Sequence, residues 1–207
     1  RNIGIVTNDR KLARRVRALL ERAQVGLQDA GGWALSTTSA ATALARWLEC
    51  LEQNFAHEPL LDMLKSPFLH LGFGRTELGR LVPPFEQRVV RAHNIAFGLD
   101  HYRFGLHRSM TDLQEHGGAG TGAALAQLLD RLENAASKLT ALMHTRAQPA
   151  LDFLEALQES LKNLGLSVGF ENDDAGRELL AVLDEMRSAA AHSGLRLTWA
   201  GFHQWLK

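Results

Sequence analysis

The chain has a single cysteine, no long apolar run and no excess of charge of either sign. With Cys50 alone, an intrachain disulfide is impossible, and a reducing compartment is the default reading. No run approaches the ~20 apolar residues that a membrane-crossing helix needs. No signal peptide is visible either, so a soluble, cytoplasmic protein without a membrane partner is expected. Lysine plus arginine equals aspartate plus glutamate at 23 each, so net charge alone points neither toward nucleic acid nor away from it. A starting Met is also missing. Arg1 runs straight into the strand-like Asn2-Ile3-Gly4-Ile5-Val6, and the chain stops at Gln204-Trp205-Leu206-Lys207 inside a helical pattern. Natural termini are usually looser, so both ends read as boundaries of a piece cut from a larger protein.

What is present is ordinary globular material. The 207 residues are 45% hydrophobic and 22% charged, enough to bury a real core rather than stay disordered. Charge is distributed unevenly. Residues 1–22 hold seven basic side chains against two acidic ones, whereas residues 171–185 hold six acids against Arg177. Ile3–Val6 reads as a strand, and Asn8 or Asp9 can cap a helix over about 10–23. That helix puts Leu12, Val16, Leu19, Leu20 and Ala23 on one stripe, and Arg10, Lys11, Arg14, Arg15, Arg17 and Arg22 opposite it. Val25–Asp29 alternates as a second strand. The connection length favours a parallel pair, which needs a larger sheet than this chain supplies.

The remainder reads helical. Ser36–Ser39 caps a helix to about Asn54. Glu58–Lys65 is ended by Pro67, Thr76–Leu81 by Pro83-Pro84, and Phe85–His93 follows. Ala119–Met143, Ala150–Leu164 and Asp173–Ala191 carry Leu, Met and Ala at spacings of three and four, the pattern of a helical-bundle core. Leu195–Trp199 reads as a short strand or as the lead into a last helix.

Most chemistry-bearing patterns have a structural explanation. Gly117–Gly122 precedes a helix, whose free amides can cradle phosphate, but it lacks a preceding strand and the Gly-Lys-Ser/Thr ending of a phosphate loop. Gly72–Gly79 lacks dinucleotide-binding spacing. The nine histidines, among them His93, His101 and His107, show no metal-ligand spacing. Glu171, Asp173 and Asp174 sit where a helix begins and complement its dipole. Asp62-Met63-Leu64-Lys65 lacks the acid-x-lysine step of a nuclease. Cys50 lies on an apolar helical stretch and reads as an inert core thiol. The basic face of the first helix is different: one-signed surfaces repel themselves, and phosphate neutralisation would relieve this one.

Asn2–Val16 resembles motif IV of UvrD/RecB-like superfamily I helicases, in which a strand leads through a polar turn to an arginine-bearing helix. Val25–Thr38 resembles the following strand and its Gly-Gly turn, closest to AddB-type helicase–nuclease subunits and related bacterial DNA repair proteins. Leu60-Leu61-Asp62-Met63-Leu64-Lys65-Ser66-Pro67 and Phe85–Arg91 are similar to later stretches of that family. The likeness is specific over about residues 2–70 and diffuse beyond.

The resemblance implies a mainly α fold: a small α/β, partial RecA-like segment with a short parallel strand pair over residues 1–56, and a helical bundle-like insertion subdomain over residues 57–207. It implies that Arg14 matches the arginine that reaches nucleotide phosphates across the motor-domain cleft, a task suited to a permanently charged, bidentate donor. Arg10, Lys11, Arg15 and Arg17 are the DNA-binding candidates. The phosphate loop, the metal-binding acids and any nuclease motif are absent from this piece, so no catalytic residue is expected. ATP and Mg are expected only of an active parent. The expected function is DNA handling and interdomain coupling within an AddB-like DNA repair helicase/exonuclease that processes DNA ends. Expected partners are single-stranded or duplex DNA ends, other domains of the same parent, and a partner helicase–nuclease subunit. The alternative is a helical module that binds another protein.

Overall fold

A computed structural model of the chain describes residues 35–116 and 120–206, together with Leu12, Arg15, Val16, Leu19, Leu20, Ala23 and Val25. The chain divides into two units, Arg1–Ala34 and Leu35–Lys207. In the first unit Leu12, Arg15, Val16, Leu19 and Leu20 are helical, in keeping with the apolar periodicity. The expected stripe is not a buried face, however: Val16 and Leu20 are half-buried, while Leu12, Leu19 and Val25 are exposed. Periodicity says which residues share a face; it does not supply the surface that covers them. Val25 lies in neither helix nor strand. The rest of the expected parallel pair, Ile3–Val6 with residues 26–29, lies outside the described residues.

The second unit is mostly helical, with a two-strand ribbon. Its first helix, α1 (Ser39–Glu52), starts where the Thr38 hydroxyl accepts the amide of Ala41. It turns Ala40, Ala43, Leu44, Trp47, Leu48 and Leu51 inward. Trp47 is fully buried, and its indole N–H donates to Ser160 Oγ at 2.8 Å, 113 residues away. The second compact unit begins at Leu35, and α1 packs its apolar face into its helical core. Next come α2 (His57–Leu64) and α3 (Arg75–Pro84).

The chain does not stop at Pro83-Pro84 as expected. Helix α3 runs through both prolines into a wider π-helical segment, Phe85–Arg91. Proline removes an amide and crowds the carbonyl four residues back. Both prolines nonetheless lie within regular α-helix, and the wider turns begin only at Phe85. Two elements not expected from the sequence follow, α4 (Leu99–Arg108) and α5 (Met110–His116).

The long helices fall close to their expected bounds: α6 (Thr121–Met143), α7 (Ala150–Leu164) and α9 (Asp174–Ser193), with the short α8 (Leu166–Glu171) before the last. Helix α7 packs on α6, α8 and α9 and supplies the centre of the core. Two-residue strands β1 (Gln148–Pro149) and β2 (Arg196–Leu197) pair antiparallel, Gln148 opposite Leu197. The segment expected to be a strand or a helix lead-in is thus both in turn, since α10 (Trp199–Trp205) follows at once. Phe202 of α10 stacks on Phe153 of α7 with centroids 4.9 Å apart. Glu52 at the end of α1 accepts from Trp199 Nε1 at 2.9 Å and from His203 Nδ1 at 2.6 Å.

Candidate functional site

Of the basic residues expected to meet phosphate, Arg10, Lys11, Arg14 and Arg17 lie outside the described residues. Arg15 is helical, and its side chain is exposed. Residues 117–119 of the Gly-rich lead-in also lie outside; Gly120 follows with φ +84°, one residue before α6.

The other sequence candidates take up structural work. Gly72 lies against Arg131, whose guanidinium donates to the Leu71 carbonyl at 2.5 Å and covers the Phe73 ring at 4.2 Å. Asp173 accepts the Gly176 amide at 2.9 Å and caps α9, and Asp174 pairs with Arg177. Asp62 and Lys65 turn to different partners, Arg46 at 3.6 Å and Glu86 at 3.2 Å. Cys50 is fully buried, and burial, reinforced by Glu49, pushes its thiol up to about 12, so it presents no thiolate near neutral pH. Among the described residues no group of three or more His, Cys, Asp and Glu side chains could hold a metal. No helix among them is long and apolar enough to cross a membrane.

A feature that the sequence did not disclose lies where the π-helical segment ends. Asn94 takes a left-handed conformation (φ +50°), and the Ile95 amide bonds back to Val90 at 3.0 Å. The loop is then pinned to the α1–α2 connection. Ala96 O accepts the His57 amide at 2.9 Å, and the Gly98 amide donates to Asn54 O at 2.8 Å. Gly98 has φ +92°, which a side chain rarely adopts. Gly105 of α4 permits the close approach: a methyl there would meet the Ile95 Cδ1 atom at 2.6 Å and His93 at 3.2 Å.

Between this loop and α4 lies an open cleft of about 380 Å³, lined by His93, Asn94, Ile95, Ala96, Phe97, His101, Phe104 and Arg108. Its volume falls in the roughly 300–1,000 Å³ range of small-ligand sites. Phe97 and Phe104 are 48% and 62% exposed, an unusual display of aromatic surface at one edge. The Arg108 guanidinium stands over the Phe104 ring at 5.8 Å, and the His101 ring lies 5.8 Å from Phe97. His101 Nδ1–H donates to the Phe97 carbonyl at 2.9 Å, leaving Nε2 for another partner.

His93 is held from behind. Ser109 donates its only proton to Arg88 O at 2.6 Å, so the 2.7 Å contact requires His93 Nε2–H to donate to Ser109 Oγ. No carboxylate lines the cleft. Acids on the adjoining helices are engaged elsewhere, Asp112 with Arg88 and Asp100 with Arg103. The lining sets two π faces beside the Arg108 guanidinium, an arrangement that can stack a flat ring and meet an anion.

A positional signal does exist in the sequence: Phe97, His101, Phe104 and Arg108 recur at helical spacing. It is weak because no capping residue or leucine stripe marks this stretch as a helix, and its histidines draw attention only as metal ligands. No protein-family model, curated protein or solved structure matches the chain.

Proposed function

We propose that the chain is the DNA-handling part of an AddB-like DNA repair helicase/exonuclease and carries out no chemical step itself. In this reading the first unit is an edge of a RecA-like motor domain with a parallel strand pair. The helical unit is its insertion subdomain. Arg14 would face nucleotide phosphates held by another domain of the parent, which supplies ATP and Mg.

The observation that carries the reading is the stretch Asn2–Arg17, where a strand pattern leads into a helix with Arg10, Lys11, Arg14, Arg15 and Arg17 on one side. Lysine and arginine gathered on one face bind phosphate by releasing counterions. The exposed Arg15 and the carboxylate-free cleft of α4 support it.

The test is binding of single-stranded and duplex DNA ends at low and moderate salt, comparing wild type with Arg10, Lys11, Arg14 and Arg15 all changed to Ala. Affinity should fall in the variant, and the single-strand salt slope should become shallower by about 0.7 for each phosphate that is no longer neutralised. Absence of binding by the wild type at low salt would remove the DNA role. ATP hydrolysis by the chain alone should be undetectable, and robust turnover would overturn the absence of a catalytic site.

A further inference from the structure

We infer that the cleft between residues 93–97 and α4 holds an unstacked base of single-stranded DNA, with Phe97 and Phe104 as its stacking surfaces and Arg108 meeting the adjoining phosphate. The inference rests on the DNA-handling reading for its choice of ligand. The cleft would be a second DNA-binding element, separate in sequence from the basic helix.

Leaving aromatic rings in water is costly. Phe104, 62% exposed, and Phe97, 48% exposed, flank one opening although the same unit buries Phe55, Phe68, Phe73, Phe85, Phe153, Phe170 and Phe202. Apolar rings gathered at one edge mark a surface that a partner covers. The charge around them selects the partner. Arg108 has no carboxylate partner among the described residues, and His93 and His101 complete a lining without acid. A peptide recognised through this lining would have to be acidic. A nucleotide supplies the anion and a flat ring together, and base–aromatic stacking with arginine is the usual means of holding single strands.

The cleft also continues along the surface. Asn94, Ile95 and Ala96 also line a second depression of about 270 Å³, which reaches His57 and Arg91. Its one acid, Glu86, is already held by Lys65 at 3.2 Å and Arg91 at 2.6 Å. The Lys65 and Arg91 contacts hold the Glu86 carboxyl below its usual range, hence ionised at neutral pH and matched by cations. A strand leaving the first cleft therefore meets a path that is not repulsive to the next phosphate.

The site is built rather than incidental. Its floor depends on the π-helical exit, the left-handed Asn94 and the positive φ of Gly98. Local strain of this kind persists only where the surroundings over-determine it. A π-helical segment is itself a common mark of a functional site.

The experiment uses the full chain and three labelled probes of equal length: oligothymidylate, the same strand with abasic positions, and oligouridylate. Affinities are read by fluorescence anisotropy for wild type, Phe104→Ala, Arg108→Ala and the four-site N-terminal variant. Phe104→Ala should weaken oligothymidylate binding by roughly 5- to 150-fold, the range for one stacked base. The abasic strand should bind wild type no better than oligothymidylate binds Phe104→Ala. Replacing thymine by 5-iodouracil should photo-crosslink to the peptide that holds Phe97 or Phe104.

Equal binding of oligothymidylate and the abasic strand overturns the cleft site. So does unchanged affinity in Phe104→Ala; if the N-terminal variant still loses binding, the broader DNA reading survives that failure. No binding of any probe by wild type removes both readings. Tighter binding of oligouridylate than oligothymidylate overturns the assignment to DNA. Because Phe104 is mostly exposed, its substitution should leave the thermal melt unmoved, separating a binding defect from a folding defect.

Discussion

Helix α7 and helix α4 place their aromatic and aliphatic residues in opposite ways. Along α7, Ala150, Phe153, Leu154, Leu157, Leu161 and Leu164 are at most 1% exposed, and neighbouring helices close over them. Along α4 only one side is enclosed. Leu99, Tyr102 and Leu106 face the core, and the Tyr102 hydroxyl donates to Phe55 O at 2.8 Å. The other side presents His101, Phe104 and Arg108 to solvent. Both helices are amphipathic, so the difference lies in what the second face carries. The outward face of α7 holds Asp152, Glu155 and Glu159, the ordinary solvated face. That of α4 holds Asp100 and Arg108 as well, but with the bare Phe104 ring between them in sequence, which solvation alone does not explain.

The contrast can be broken most directly with matched truncations. Phe153→Ala removes a fully buried ring stacked on Phe202 and should cost about 3–5 kcal/mol in a urea melt; a loss below ~1 kcal/mol would mean the core re-forms around the gap. Ser160→Ala should cost less, about 1–3 kcal/mol. It strips the acceptor from the buried Trp47 indole N–H. If the measured loss were negligible, water must reach that nitrogen. Phe104→Ala should be the smallest, within about 0.5 kcal/mol, since the ring is 62% exposed. A large loss there would show that Phe104 is core and that the cleft is only a packing defect.

The same contrast explains what could be read in advance. Leu154, Leu157, Leu161 and Leu164 sit at the spacing of one helical stripe, and so do Leu125, Leu128, Leu129 and Leu132. Burial favours that arrangement at every turn, so the elements fall where periodicity puts them. Around α4 the local signals conflict. Gly98 and Gly105 lower helix propensity and the histidines and aromatics add little to it, so the helix draws on Leu99, Tyr102 and Leu106 packing into the core. The prolines mislead in a similar way. Pro83-Pro84 reads as a stop because each proline removes an amide and crowds the preceding turn, yet α3 carries both and passes into the π-helical segment.

For the candidate sites, the basic run Arg10–Arg17 is legible from composition alone, because charge of one sign needs no partner to be noticed. The cleft is not, because it exists only when loop 93–97 is laid against α4. Its residues look ordinary until Gly105 admits Ile95 and Gly98 turns the chain into the helix.

The amino-acid order thus determined the mostly helical class, the bounds of α6, α7 and α9, the capping role of Asp173 and the inert burial of Cys50. Each follows from interactions within a few residues or from one-dimensional periodicity. Tertiary structure decided that α1 belongs with the helical unit, that Trp47 finds its acceptor at Ser160, and that Phe97 and Phe104 stay outside. Those outcomes depend on which faces meet, and a face is covered or left bare only by residues distant in sequence.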